Sequence, residues 1–109
     1  MKSQFTPGSI ILRSMTEDYE IINNKDLGRF ELTLEDETAE LRYRRDGNRI
    51  DLLHTEVPEA LGGRGIASTL ARHALDYARQ EGLEVHVYCT FVATFVKRHP
   101  EYSWATLAR

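Results

Sequence analysis

The sequence has one cysteine, no extended apolar run and no excess of positive charge, and each shortage excludes a class of protein. Cys89, the single cysteine among 109 residues, can form no internal disulfide and cannot build a zinc site of the usual kind. We therefore expect no metal and a reducing, cytoplasmic location. No apolar run approaches the ~20 residues that span a bilayer. The N-terminus also lacks the apolar stretch of a signal peptide.

The balance of charge argues against a nucleic-acid partner. The formal net charge is −3, whereas nucleic-acid-binding domains usually carry a basic surface. An apolar fraction of 41% and a length of 109 residues are ordinary for one globular domain with its own core. We assign residues 1–18 to an N-terminal extension, either poorly structured or carrying an edge strand at 10–12. Residues 19–109 form the domain, which we expect to contact neither nucleic acid nor membrane.

The first half of the domain shows the two-residue alternation of β-strands. A short β-prone run at 19–22 precedes a predicted turn at 23–26. Three antiparallel strands joined by short turns are predicted next, at 29–34, 39–44 and 49–57. In the last of them, strict alternation places four residues on one face: Ile50, Leu52, His54 and Glu56. Neither face is cleanly apolar, so we expect this strand to be covered on both sides.

The second half changes to a helical period. Apolar residues recur every three or four positions from Ile66 to Glu81, and Gly82 follows as a C-terminal stop. A strand at 83–88 and a second helix at 90–98 come next, and three aromatic residues are expected in the core: Phe91, Phe95 and Trp104. A helix between two strands makes those strands parallel neighbours. The predicted fold class is α/β (α+β), a mixed sheet with an antiparallel meander, a βαβ crossover and a short second helix.

A glycine-rich stretch joins these halves. Gly62, Gly63 and Gly65 let the backbone approach a ligand closely, because no Cβ stands in the way. The helix that follows directs unpaired N–H groups and the positive end of its dipole into the same space, which suits a phosphate. The glycine spacing matches neither the dinucleotide fingerprint nor a Walker A loop. On residue types alone, a turn without any ligand is an equal alternative.

The run Gly62-Gly63-Arg64-Gly65-Ile66-Ala67 resembles the acetyl-CoA diphosphate loop of the GNAT superfamily, the acetyl-CoA-dependent N-acetyltransferases. Gly65 and Ala67 match the last two positions of its Gln/Arg-x-x-Gly-x-Gly/Ala pattern, and Gly62 stands where Gln or Arg is usual. Further motifs resemble the small, single-domain GNAT-like family: Val57-Pro58 before the loop, Cys89 after the next strand, and His99-Pro100-Glu101-Tyr102. The fold expected from this resemblance is the GNAT-like mixed sheet.

The resemblance also implies a ligand, acetyl-CoA, and the residues that bind it. The cofactor-binding candidates are Val57, Gly62, Gly63, Arg64, Gly65, Ile66, Ala67 and Ser68. Backbone N–H groups of residues 63–67 would hold the diphosphate. The pantetheine would enter a gap between the two parallel strands, where backbone groups of Glu56 and Val57 bond its amides and polarise the thioester carbonyl.

The candidate catalytic residues are Cys89, His54 and Glu56. Cys89 lies where a strand ends and a helix begins, a position that favours the thiolate, so it could accept the acetyl group or assist in its transfer. A buried, inert thiol is the alternative. His54 is suited to take a proton from an ammonium acceptor near neutral pH, and Glu56 could partner it or act alone. His99 could belong to the site or simply cap the second helix.

Two functions of different classes remain open. The first is a minimal N-acetyltransferase that transfers acetyl to the amine of a small molecule or a protein. The second is a non-catalytic module that binds CoA or acetyl-CoA and acts through a protein partner. The second helix has no tyrosine to serve as the superfamily's frequent general acid, and no acceptor-closing helices are expected, which favours the second function. We expect a monomer or a weak homodimer.

Overall fold

The computed structural model describes residues 19–108, and the predicted N-terminal extension lies outside the described residues. Six strands form one sheet in chain order: β1 Ile22–Asn24, β2 Arg29–Leu34, β3 Glu37–Asp46, β4 Arg49–Glu56, β5 Glu84–Val87 and β6 Thr106–Leu107. Two helices accompany it: α1 Ile66–Glu81 and α2 Thr90–Arg98. Short 3₁₀ turns occupy Glu59–Leu61 and Pro100–Tyr102. Within residues 19–108, no helix is long and apolar enough to cross a membrane.

The predicted fold class is confirmed. Strands β1 to β4 form an antiparallel meander, whereas β4–β5 and β5–β6 are parallel pairs. Both helices begin and end where the sequence pattern predicts. The turn predicted at 23–26 is wrong in its first half, because Asn23 and Asn24 belong to β1 and pair with Phe30 and Arg29. Pairing to a neighbouring strand stabilises an extended backbone that asparagine does not favour by itself.

Both helices cover the same face of the sheet. Each follows one strand and precedes a parallel neighbour on the same side, and right-handed crossovers of this kind place successive helices on one face. Their apolar stripes join the inward residues of the strands in a single core. The fully buried members with the largest side chains include Phe30, Leu41, Ile50, Leu52 and Leu70. This packing leaves the opposite face of the sheet polar.

A bulge in β4 corrects the predicted alternation of that strand. Tyr43 pairs with Leu52 but Arg42 pairs with His54, so Leu53 has no residue directly opposite it. One extra residue moves every later side chain to the other face. Ile50 and Leu52 therefore lie on the helix-covered face, whereas His54 and Glu56 lie on the polar face, opposite Arg42 and Glu40. The mixed character of the pattern reflects this change of phase and not a strand covered on both sides.

Two of the three aromatic residues predicted in the core are exposed. Phe95 is buried as predicted, but Phe91 is 38% exposed and Trp104 is 41% exposed. The buried stripe of α2 consists of Val92, Phe95 and Val96. Phe91 precedes this stripe by one residue and therefore lies outside it. The indole N–H of Trp104 donates to the carbonyl of Glu101 at 3.0 Å, which holds the ring on the surface.

The polar face is organised by two carboxylates that are themselves buried. Asp51 is 3% exposed and accepts hydrogen bonds from Arg44 and Arg49. Glu40 is 8% exposed and lies between Arg29 and Arg42. Burial opposes ionisation of Asp51, but the hydrogen bonds and charges of the two arginines outweigh it and hold its pKa below the usual 3.8. A buried carboxylate of this kind is tolerated because its lone pairs and its charge are satisfied.

Candidate functional site

A gap opens between β4 and β5 just where the bulge lies. The parallel register ends at the pair Leu52–Val87, and the last bonds between the strands run from the N–H groups of Tyr88 and Cys89 to the Leu52 carbonyl. Strand β4 continues to Glu56 paired only with β3. A strand that loses one neighbour presents N–H and C=O groups without strand partners. The gap therefore offers backbone hydrogen-bonding groups to an extended ligand.

A pocket of about 220 Å³ lies beside this gap, over the start of α1. Seven of the eight predicted cofactor-binding residues line it: Val57, Gly62, Gly63, Gly65, Ile66, Ala67 and Ser68. A Cβ added to Gly63 or Gly65 would meet no protein atom within 4 Å, so the loop backbone borders open space. The sequence brings these residues together because the loop and the first helical turn are continuous in the chain.

The start of α1 is free to bind an anion. Gly65 is the N-cap residue with φ +72°, and no side chain caps the first turn. The first turn also contains no acidic residue. Its N–H groups and the positive end of the helix dipole are therefore directed toward the pocket without an internal acceptor. This donor set, with glycines that allow close approach, fits a diphosphate.

Arg64 is placed differently from the rest of its loop. Its guanidinium donates twice to the carboxylate of Glu35 at 3.2 Å, in the turn between β2 and β3. It lines a second pocket of about 380 Å³ on the outer side of α1, with Ser68 and Arg72. The positive charge that the sequence places in the loop is thus paired with a carboxylate from a distant part of the chain.

Cys89 lies across the gap from β4. It is the N-cap residue of α2 and only 5% exposed. Its Sγ lies 3.3 Å from the hydroxyl oxygen of Thr55, which is a hydrogen-bond distance for sulfur. The thiol is therefore buried yet oriented by a polar partner on the far side of the gap.

His54 and Glu56 lie on the polar face of the sheet, on the opposite face of β4 from Thr55. Their side chains are 61% and 68% exposed, and His54 Nε2 lies 3.7 Å from Glu56 Oε1. The gap thus has two sides. The thiol and the glycine-loop pocket lie toward the helices, and the side chains of His54 and Glu56 lie toward solvent.

The other histidines have structural surroundings. His99 Nδ1 donates to the carbonyl of Phe95 at 2.8 Å, and its ring stacks on Phe95 with 4.0 Å between centroids. These contacts match a cap of α2. Burial lowers the pKa of His73, which packs edge-on against Phe30. His86 bonds to Glu84 on the polar face.

Two residues near the gap, Thr55 and Phe91, are not among the site residues predicted from the sequence. Thr55 has no role in the sequence-based prediction, in which strict alternation groups it with Asp51, Leu53 and Val57. Phe91 was expected in the core, but it lines the glycine-loop pocket from α2. A signal for Phe91 existed, since the first turn of the helix after Cys89 must lie beside the gap. Thr55 had no local signal, because the bulge depends on pairing with β3.

Known proteins show the same architecture. A family model described as GCN5-related N-acetyl-transferase matches residues 29–105. The solution structure of a GCN5-like protein from Staphylococcus aureus superposes with a TM-score of 0.63 at 28% identity, covering 83% of this chain and 89% of that one.

Curated relatives are called Protein NATD1. The Bos taurus protein is 52% identical over 63 residues, which cover 57% of this chain and 56% of the relative. The Homo sapiens protein is 49% identical over 63 residues, with 57% and 56% covered. The Danio rerio protein is 46% identical over 67 residues, with 59% and 61% covered. The chain thus spans less than two thirds of the length of these relatives. With the family model matching most of the domain and the mixed sheet agreeing with a solved neighbour, this chain belongs to the GCN5-related N-acetyltransferase family.

Proposed function

We propose that this protein binds acetyl-CoA and transfers its acetyl group to an amine. One observation carries the proposal: the uncapped start of α1 borders a pocket that Val57, the residue after β4, also lines, at the end of the strand that borders the gap. The start of α1 suits a diphosphate, and the gap suits an extended chain with amide groups. Family membership supports the same ligand. Acetyl-CoA supplies the activated acetyl group.

Residues on the helix side of the gap bind the cofactor, and each group has a separate role. N–H groups from Gly63 to Ala67 hold the diphosphate, and backbone groups of Glu56 and Val57 bind the pantetheine arm. Donors that point at the thioester oxygen stabilise the charge that develops there during transfer. Phe91 supplies an exposed apolar wall at the pocket.

The acceptor amine approaches from the polar face. His54 or Glu56 removes the proton from its ammonium form, since a free amine is the nucleophile. Cys89 lies at the other side of the gap, and its thiol, which contacts the Thr55 hydroxyl, takes the acetyl group before the amine does. Acetyl transfer to sulfur would release the donor thiol, and transfer to the amine would regenerate Cys89.

A titration with acetyl-CoA tests the binding. We expect the wild-type protein to bind, and Gly65→Glu to bind at least about tenfold more weakly, because a carboxylate would project into the pocket. Gly47→Glu is the matched control: Gly47 also has a left-handed φ of +61° and open space around its Cβ position, but it lies in the turn between β3 and β4. No binding by the wild-type protein would sink the proposal.

Mass spectrometry after incubation with acetyl-CoA tests the thiol. We expect a species heavier by one acetyl group in the wild-type protein and none in Cys89→Ala. Turnover, followed as CoA release in the presence of candidate amines, tests transfer itself. An acetylated protein that never loses its label to an amine would contradict the transferase.

A second candidate function, a non-catalytic acetyl-CoA-binding module, has one observation in its favour. Helix α2 has no tyrosine along Thr90–Arg98, so no phenol is present there to protonate the leaving thiolate. Binding without CoA release for any amine tested, in a protein that Cys89→Ala leaves unchanged, would support this module over the enzyme.

A further inference from the structure

Arg64 is held by Glu35, which lies outside the glycine loop, in the turn between β2 and β3. Nη1 and Nη2 of Arg64 each donate to one carboxylate oxygen of Glu35. A bidentate pair fixes the plane of the guanidinium as well as its distance. The pair holds Arg64 at the pocket on the outer side of α1, and Arg64 does not line the pocket formed by the other loop residues.

Glu35 occupies a backbone position that glutamate rarely adopts. Glu35 and Asp36 form the two-residue turn between β2 and β3, with φ of +52° and +66°. Such a hairpin turn needs left-handed residues at both positions and prefers asparagine and glycine. Glutamate is an unfavourable choice there, whereas aspartate is among the residues that adopt this conformation more often. From this position the Glu35 side chain forms its ion pair with Arg64.

The loop around Arg64 has a backbone that allows the Arg64 side chain to reorient. Its two neighbours, Gly63 and Gly65, have φ of +80° and +72° and no Cβ to restrict the backbone. The pair itself is open to water, with side chains 39% and 62% exposed for Arg64 and Glu35. Exposed ion pairs contribute little net stability. An anion with more charge than one carboxylate can therefore displace Glu35 from the guanidinium.

We propose that Glu35 is a positioning residue that competes with the diphosphate for Arg64. This inference rests on the proposed binding of acetyl-CoA. In the free protein Glu35 neutralises Arg64 and keeps it on the outer side of α1. A diphosphate in the glycine loop offers more charge and more acceptor oxygens, so it draws Arg64 away from Glu35. A donor without phosphates leaves the pair intact.

The test uses two ligands and matched variants. Glu35→Gln should raise the affinity for CoA about two- to fivefold, the range expected for removing one exposed ion-pair competitor. The same variant should leave the affinity for S-acetylpantetheine unchanged, because that donor lacks the diphosphate. Asp36→Asn is the control, since it removes a charge from the same turn without touching Arg64. In an Arg64→Gln background, Glu35→Gln should have no effect on CoA.

The outcomes separate this inference from the proposed function. If no form of the protein binds CoA, the proposed function fails. If the wild-type protein binds CoA but Glu35→Gln binds it equally or more weakly, the competition is wrong. Equal gains for CoA and S-acetylpantetheine would indicate a change in loop structure and would also overturn it. A gain that persists without Arg64 would do the same.

Discussion

The two halves of β4 lie in one strand but have opposite surroundings. Residues Arg49–Leu52 pair with strands on both sides, and their inward side chains are fully buried. Residues 54–56 pair only with β3 and border the gap. The bulge at Leu53 separates the two halves. A single unpaired residue thus divides a strand into a part that stabilises the fold and a part that is available for chemistry.

The carboxylates of the two halves show the same difference. Asp51 is 3% exposed and bonded to two arginines, whereas the Glu56 side chain is 68% exposed with His54 at 3.7 Å. A buried, doubly paired carboxylate cannot exchange protons with a substrate. An exposed and loosely paired one can. The comparison therefore predicts that substitutions before the bulge mainly lower the free energy of unfolding. Substitutions after the bulge should mainly lower the rate of acetyl transfer.

Leu52→Ala should have the largest effect on stability. Leu52 is fully buried under the helices, so its truncation leaves a cavity that costs about 2–5 kcal/mol of unfolding free energy. Urea denaturation measures this. Leu53→Ala, one residue later and only half-buried, should cost clearly less. Equal losses of unfolding free energy at the two positions would contradict the difference between the two halves of β4.

Asp51→Asn should come next, at about 1–3 kcal/mol at pH 7, because it removes a charged acceptor from two arginines. The lowered pKa of Asp51 adds a pH dependence. Its folded-state pKa lies below the unfolded value, so its contribution is present above about pH 4 and is lost as the pH falls through the folded pKa. Denaturation curves between pH 6 and pH 3, chosen to bracket the usual Asp pKa, should therefore fall less steeply for Asp51→Asn. A parallel fall would contradict the role of this carboxylate.

Thr55→Val should cost less than about 1 kcal/mol, since it keeps the shape and removes only one weak bond to sulfur. Its larger effect should be on acetylation of Cys89, which we expect to slow when the thiol loses its orienting partner. Mass spectrometry over time measures this rate. Thr33→Val is the control, because that hydroxyl bonds to Thr38 on the exposed part of the sheet. Unchanged labelling in Thr55→Val would remove Thr55 from the site.

Glu56→Gln should have the smallest effect on stability, within about 0.5 kcal/mol, because the side chain is exposed. Transfer to an amine should fall by about 10² if Glu56 is the base. Glu84→Gln is the matched control, since Glu84 pairs with His86 on the same face but away from the gap. An equal loss of transfer in both variants would indicate a general effect of charge.

Much of the fold was predictable from local pattern. The helical stripe from Ile66 to Glu81, the glycines before it and the position of Cys89 at a strand end all rest on neighbouring residues. The sheet order follows from short turns and right-handed crossovers. The pocket-lining residues were predictable for the same reason, because seven of them lie in or next to one continuous turn.

By itself, the sequence determined which segments are helices and strands and which loop can approach a phosphate, because those properties depend on residues close together in the chain. Only the tertiary structure decided the phase of β4 after Leu53, the contact of Thr55 with Cys89, and the pairing of Arg64 with Glu35. Each of these joins residues far apart in sequence. Their contacts are set by strand register and packing, which no local pattern encodes.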